Sequence, residues 1–102
     1  MAGELICNAF LNKKIRKTKR DETNGWSYFL FGNIIAERRG EEIWITNSGW
    51  KTITTKDRLN KIGAYLYAKK GVWHLNECPW EGEWVNMKTY KKEIIKEKSM
   101  FS

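Results

Sequence analysis

Residues 24–46 read NGWSYFLFGNIIAERRGEEIWIT, and this stretch decides the fold. Asn24 followed by Gly25 is a strong hairpin signal, because both residues tolerate the positive φ that a two-residue strand connection requires. Residues 26–36 are then dense in aromatic and β-branched side chains, which pack well on a pleated surface. Gly32 and Asn33 interrupt the run as a bulge or turn, leaving one strand through Leu30 and a second piece through Ile35. Arg39 and Gly40 turn the chain into residues 41–46, where Ile43 and Ile45 alternate with Trp44. Short strands joined by tight turns in this way build an antiparallel sheet.

Toward the C-terminus, Asn47, Ser48 and Gly49 form another turn, and residues 50–54 read as a returning strand. Thr54, Thr55, Lys56 and Asp57 have the form of a capping box, a hydroxyl at the cap and a carboxylate three residues on. Leu59 and Ile62 give the helix that follows a buried stripe, and Gly63 is a natural stop after about two turns. Tyr65, Leu66 and Tyr67 alternate as a strand, Lys70 and Gly71 turn it into residues 72–76, and Pro79 breaks that second strand. Residues 80–84 form a tight turn flanked by Trp80 and Trp84, and residues 84–87 make the last strand.

Toward the N-terminus, residues 21–25 read as a turn cluster and residues 4–11 as a short strand. Between them, residues 13–20, KKIRKTKR, carry Lys13, Lys14, Arg16, Lys17, Lys19 and Arg20 with no acidic side chain. Lys14, Arg16 and Thr18 alternate with Ile15, Lys17 and Lys19, as in an exposed edge strand or a mobile arm. The basic tail, residues 88–102, has helical spacing at Tyr90, Ile94 and positions 97, 98 and 101, compatible with an amphipathic helix. The expectation is one α+β domain over residues 1–102. It comprises a twisted, mostly antiparallel sheet of about five to seven short strands, one short helix, and a C-terminal helix as an option.

A chain of 102 residues supports one hydrophobic core, and its six tryptophans are material for it. No apolar run approaches the ~20 residues that span a bilayer, and the N-terminus lacks the pattern of a secretory leader, so a cytoplasmic location and no membrane are expected. Cys7 and Cys78 then read as reduced thiols. Lysine and arginine outnumber aspartate and glutamate by 19 to 12, a net charge of +7 concentrated near the N-terminus and in the tail. Such an excess favours an anionic partner and argues against imitation of DNA, which needs an acidic surface.

Chemistry-bearing constellations are sparse. His74 and Cys78 stand four apart without the paired short spacings of a zinc site, so no metal is expected. Glu41 with Glu42, and Glu81 with Glu83, read as solvated turn charges. Glycine-rich phosphate loops are absent, and no cofactor or catalytic residue is assigned. Cations interleaved with aromatics are the exception, since a single strand of nucleic acid is held by charges along its backbone and by stacking of its bases. The candidates are Lys13, Lys14, Arg16, Lys17, Lys19 and Arg20, with Arg38 and Arg39. Trp26, Tyr28, Trp44 and Trp50 are the candidate stackers, on the ground that six tryptophans do not all fit inside a core this small.

Residues 48–62, SGWKTITTKDRLNKI, followed by YLYAKKGVWHL, resemble a pattern in small uncharacterised bacteriophage proteins: a Gly-Trp, a Thr-Thr-Lys and an Arg-Leu-Asn in close order. The resemblance covers the middle half of the chain, leaves residues 13–20 and the tail outside, and implies a viral or mobile-element origin without any activity. Lys56, Arg58 and Lys61 fall on the solvent side of the helix in this reading. The expected function is a non-catalytic binding protein that contacts nucleic-acid phosphates through the basic N-terminal segment. Its rival is a protein-binding inhibitor of a host enzyme or defence nuclease, using an exposed aromatic patch or an edge strand.

Overall fold

In the computed structural model, which describes residues 4–91, the first element is a helix rather than the expected strand. Helix α1 (Glu4–Leu11) buries Ile6, Cys7, Ala9 and Phe10 together. Offsets of one, three and four residues fall on one side of a 3.6-residue helix, whereas in a strand the neighbours Ile6 and Cys7 would face opposite ways. Lys13 closes the helix with φ +59, and the Lys14 N–H donates to the Ala9 carbonyl at 2.8 Å.

The next five elements form a meander: β1 (Ile15–Lys17), β2 (Asp21–Asn24), β3 (Ser27–Leu30), β4 (Asn33–Arg39) and β5 (Glu42–Ile45). Helix α2 (Ile53–Lys61) follows, then β6 (Leu66–Lys69), β7 (Val72–Leu75), β8 (Cys78–Pro79) and β9 (Val85–Asn86). All described pairings are antiparallel, in one sheet ordered β1-β2-β3-β4-β5-β9 and a second ordered β6-β7-β8. The mostly antiparallel α+β fold is as expected, with its strands divided between two sheets.

Several local readings change. Residues 21–24 are a strand, not part of a turn: Asp21 and Thr23 point inward while Glu22 and Asn24 face solvent. The turn itself is held by the Asn24 carboxamide, whose Oδ1 accepts from the N–H groups of Trp26 and Ser27, both at 2.8 Å. Residues 50–54 make no strand, because α2 starts two residues earlier than its capping-box pattern suggests. Thr52 is the N-cap and accepts from the Thr55 N–H, which leaves Asp57 free to pair with Arg58 and Lys61. Pro79 sits within β8, the outer strand of the small sheet, where a missing N–H is tolerated. The helical reading of the tail falls mostly on residues 92–102, which lie outside the described residues.

Helix α1 packs on β1, β2 and β3 and against α2, which in turn rests on β4 and β6. Phe10, Tyr28, Leu30, Ile35, Ile45 and Leu59 form a core continuous with Trp73, Trp80 and Val85 of the second half. The two buried indoles, Trp73 and Trp80, lie 6.3 Å apart and join the small sheet to that core. Among the described residues no helix is long and apolar enough to cross a membrane.

Candidate nucleic-acid interface

The basic segment becomes the outer edge of the large sheet. Lys13 and Lys14 terminate α1, Arg16 and Lys17 lie on β1, and Lys19 and Arg20 occupy the following turn, pinned by a 2.7 Å bond from the Thr18 N–H to the Asp21 carbonyl. β1 pairs with β2 on one side and with no described strand on the other. Arg16 stands opposite Thr23 and Lys17 opposite Glu22, so successive cations project to opposite faces and the charge wraps around the edge. All six cations are exposed, and none makes a side-chain hydrogen bond or ion pair among the described residues.

Arg38 and Arg39 are placed differently. The Arg38 guanidinium donates from Nε to the Gly25 carbonyl at 3.1 Å and from Nη2 to the Phe10 carbonyl, and stacks on the Phe10 ring. It thereby clamps the negative end of α1 to the β2–β3 turn. Arg39 pairs with Glu37 at 2.6 Å and lies over Trp44 and Trp84, at 4.6 and 5.1 Å from their ring centroids. These cations already have partners in the fold, and Trp44 is half-buried beneath one of them.

Of the four aromatic candidates, Tyr28 is fully buried and is no contact residue. Its position on β3 alternates with Phe29, and the inward register takes it beneath α1. Trp26 and Trp50 are 56 % and 57 % exposed. Trp26 follows Gly25, where an added Cβ would lie 3.1 Å from the Lys13 carbonyl oxygen, at one end of the basic segment. At the other end the Phe31 N–H donates to the Arg20 carbonyl at 2.7 Å. Phe31, 62 % exposed, was not a sequence candidate, since only its place in the β3–β4 turn, with φ +54, turns the ring outward.

Phe31 and Trp50 flank a cavity of about 230 Å³ floored by Leu30 and Ile35, with Asn47 and Thr52 on its lining. The loop that carries Trp50 is built on Asn47: its Oδ1 accepts from the Gly49 N–H at 2.8 Å and its carbonyl accepts from the Trp50 N–H at 2.8 Å. Ser48 anchors the same loop by donating to the Ile34 carbonyl. Asn47 Nδ2 is buried and is left without a hydrogen-bond partner.

The family model described as Kyanoviridae Gp96 protein matches residues 6–97. The chain belongs to that family. A cyanophage origin agrees with the resemblance noted above, but the match is broader: the basic edge, Phe31, Trp50 and the cavity all lie inside the Kyanoviridae Gp96 domain. Comparison with curated proteins and with solved structures finds no match.

The Gp96 domain also holds a buried polar cluster that sequence reasoning missed. Arg58, read as solvent-facing, is buried and donates from Nε to Asp21 Oδ2 at 2.7 Å, and the Tyr28 hydroxyl donates to the same oxygen at 2.5 Å. Burial, and then the bond to Asp21, push the Tyr28 phenol far above its ordinary range. Cys7 donates to the Tyr28 hydroxyl at 3.6 Å, and burial raises its thiol pKa. The cluster ties α1, β2, β3 and α2 together beneath the surface. Cys78 is exposed, and His74 stacks on Tyr67 with ring centroids 5.2 Å apart. Among the described residues no three His, Cys, Asp or Glu side chains come together as a metal site.

Proposed function

We propose that this phage protein binds single-stranded nucleic acid along its β1 edge without catalysing a reaction on it. One observation carries the reading: a run of cations that are exposed and, among the described residues, unpaired lies along β1 and is bounded at both ends by exposed aromatics, Trp26 beside Lys13 and Phe31 beside Arg20, with Trp50 on the same cavity as Phe31. Cations that track phosphates and rings that stack on bases are the two elements such binding needs. The rival use of this edge, addition of a partner protein's strand, is opposed by the same side chains, because edge lysines resist strand pairing.

Fluorescence anisotropy with a labelled single strand, titrated at several salt concentrations, tests the reading. Each phosphate neutralised on a single strand contributes about −0.7 to the slope of log K against log salt. Replacing Arg16, Lys17, Lys19 and Arg20 together by Gln, all exposed positions, should flatten the slope by up to about 3 and leave the fold intact. Absence of binding at low salt, or binding indifferent to these substitutions, overturns the proposal. So does a stoichiometric protein partner that survives nuclease treatment and requires the same edge.

A further inference from the structure

We infer that the cavity between Phe31 and Trp50 seats a large apolar side chain presented by an acidic peptide segment of a partner protein. The site lies beside the β1 edge rather than on it. Only its consequence for nucleic acid, given with the experiment, rests on the reading above.

The character of the wall decides what enters. Leu30 and Ile35 floor the cavity, the Phe31 and Trp50 rings flank it, and its lining is almost wholly apolar. The four polar residues that contribute to it are engaged within the protein. Asn33 Nδ2 donates to the Phe31 carbonyl at 3.4 Å, and Thr52 Oγ1 accepts from the Thr55 N–H at 3.1 Å and meets the Thr55 hydroxyl at 3.0 Å. Asn47 Oδ1 accepts from the Gly49 N–H at 2.8 Å, and its carboxamide lies against Gly82. A nucleobase seated here would strip water from its ring carbonyls and amino groups with nothing to replace it, whereas a hydrocarbon side chain has no such group to satisfy.

Exposure points the same way. Ile53, 82 % exposed, opens α2 just beyond Trp50, so three large apolar side chains stand around one concavity. That is the composition of an interface centre into which a partner's anchor residue inserts. Backbone bonds hold the walls in place beforehand: Phe31 N–H to the Arg20 carbonyl at 2.7 Å, and Trp50 N–H to the Asn47 carbonyl at 2.8 Å.

Charge on the rim selects the flanks of the anchor. Lys19 and Arg20 adjoin Asp21, which pairs across the ladder with Leu30, and Lys51 and Lys56 adjoin Trp50 and Thr55 in the chain. Glu81, 3.4 Å from Lys51, offsets only part of this positive charge. Carboxylates on either side of the anchor complement the rim. A second copy of this chain, with its net charge of +7, would bring like charge to it.

Three labelled peptides of equal length can be titrated into the full-length protein by fluorescence anisotropy: a Phe flanked on both sides by Asp, the same peptide with Ser in place of Phe, and a Phe flanked by Lys. The Asp-flanked Phe peptide should bind roughly 10- to 100-fold more tightly than its Ser counterpart, the scale of burying one such side chain. Its advantage over the Lys-flanked peptide should shrink as salt is raised. Trp50→Ala and Ile53→Ala, both at exposed positions, should bring the Phe peptide down toward the Ser peptide, while Arg16→Gln and Lys17→Gln on β1 leave it unchanged. Because Lys19 and Arg20 serve peptide carboxylates and phosphates alike, saturating peptide should weaken the binding of labelled oligothymidylate.

Equal binding of the Phe and Ser peptides overturns the pocket, and a Lys-flanked peptide that binds as well as the Asp-flanked one overturns its acidic partner. If Trp50→Ala weakens oligothymidylate more than it weakens the Phe peptide, the cavity is a base site and the inference falls. Peptide and strand bound together without competition overturn the shared role of Lys19 and Arg20. The edge reading fails separately: a single strand that does not bind at low salt overturns it, and peptide discrimination as stated then leaves the pocket standing.

Discussion

Replacing Asp21 by Asn removes the negative charge from the centre of the interior cluster while keeping its volume. Asp21 and Arg58 are 2 % and 4 % exposed, and the carboxylate accepts from Arg58 Nε at 2.7 Å and from the Tyr28 hydroxyl at 2.5 Å. Breaking a buried ion pair on one side costs about 3–5 kcal/mol, since the surviving charge stays out of water without compensation. Here Arg58 keeps Asp57, 2.6 Å from Nη1 but partly solvated, so the lower end of the range applies, about 3 kcal/mol. Against a total stability of about 5–15 kcal/mol, that loss is a fifth or more. It corresponds to a fall in Tm of roughly 12–24 °C for a domain of this size. Urea unfolding followed by tryptophan fluorescence reads it directly. Tyr28→Phe, which removes one hydrogen bond to the charged oxygen and costs about 1.5–3 kcal/mol, keeps the test readable if Asp21→Asn does not fold. The triple variant Asp21→Leu, Tyr28→Phe, Arg58→Met should regain most of the loss, because an apolar replacement leaves no charge stranded. A loss below about 1 kcal/mol for Asp21→Asn would refute the reasoning, as it would mean that water reaches the cluster.

Thiol titration of the native protein should show Cys78 reacting quickly and Cys7 only in denaturant, since Cys78 is exposed while burial both shields Cys7 and disfavours its thiolate. Rapid reaction of both would contradict the packing of α1. The Asp57 carboxylate is held below its ordinary pKa chiefly by the hydrogen bond from Lys61, with Arg58 adding to it and burial opposing. A lowered folded-state pKa means that its contribution is complete above the unfolded value of about 3.9 and is lost as pH falls through the folded one. The stability difference between the protein and Asp57→Asn should therefore be under about 1 kcal/mol at neutral pH and vanish in strong acid; a difference that grows on acidification refutes the sign. Gly82→Ala should destabilise by about 2 kcal/mol or more, measured by thermal unfolding, because φ is +106° and the new Cβ would lie 2.1 Å from Asn47 Oδ1. A neutral effect would show that the Asn47 loop yields easily.

The sheet was legible where a residue's neighbours in sequence are also its neighbours in the hairpin. Gly25, Gly32, Gly40 and Gly71 each adopt positive φ at or beside the turns between paired strands, and the alternation at Ile43, Trp44 and Ile45 is local. The stop of α2 at Gly63 and its stripe of Leu59 and Ile62 are equally short-range features. Readings failed where local patterns were ambiguous. ELICNAFL is apolar enough for a strand or a helix, and only the layer of sheet beneath it selects the helix by burying Ile6, Cys7, Ala9 and Phe10 on one side. Thr52 and Thr54 both offer a capping hydroxyl, and the packing of Thr55 and Leu59 chooses the first.

For the functional surface the division is sharper. The order of residues alone determined that this chain is basic and that its charge gathers in residues 13–20, and it left open whether that segment is an edge strand or an arm. It could not say which aromatics reach solvent, because a strand side chain's direction reverses with a register change of one residue. Only tertiary structure buried Tyr28, tied Arg38 to the end of α1, laid Arg39 over Trp44 and Trp84, and brought Phe31, Trp50 and Asn47 around one cavity. Asp21 and Arg58 are 37 residues apart in the chain and 2.7 Å apart in the fold. Contacts of that kind depend on how elements pack, and packing is a property of the whole chain that no local pattern encodes.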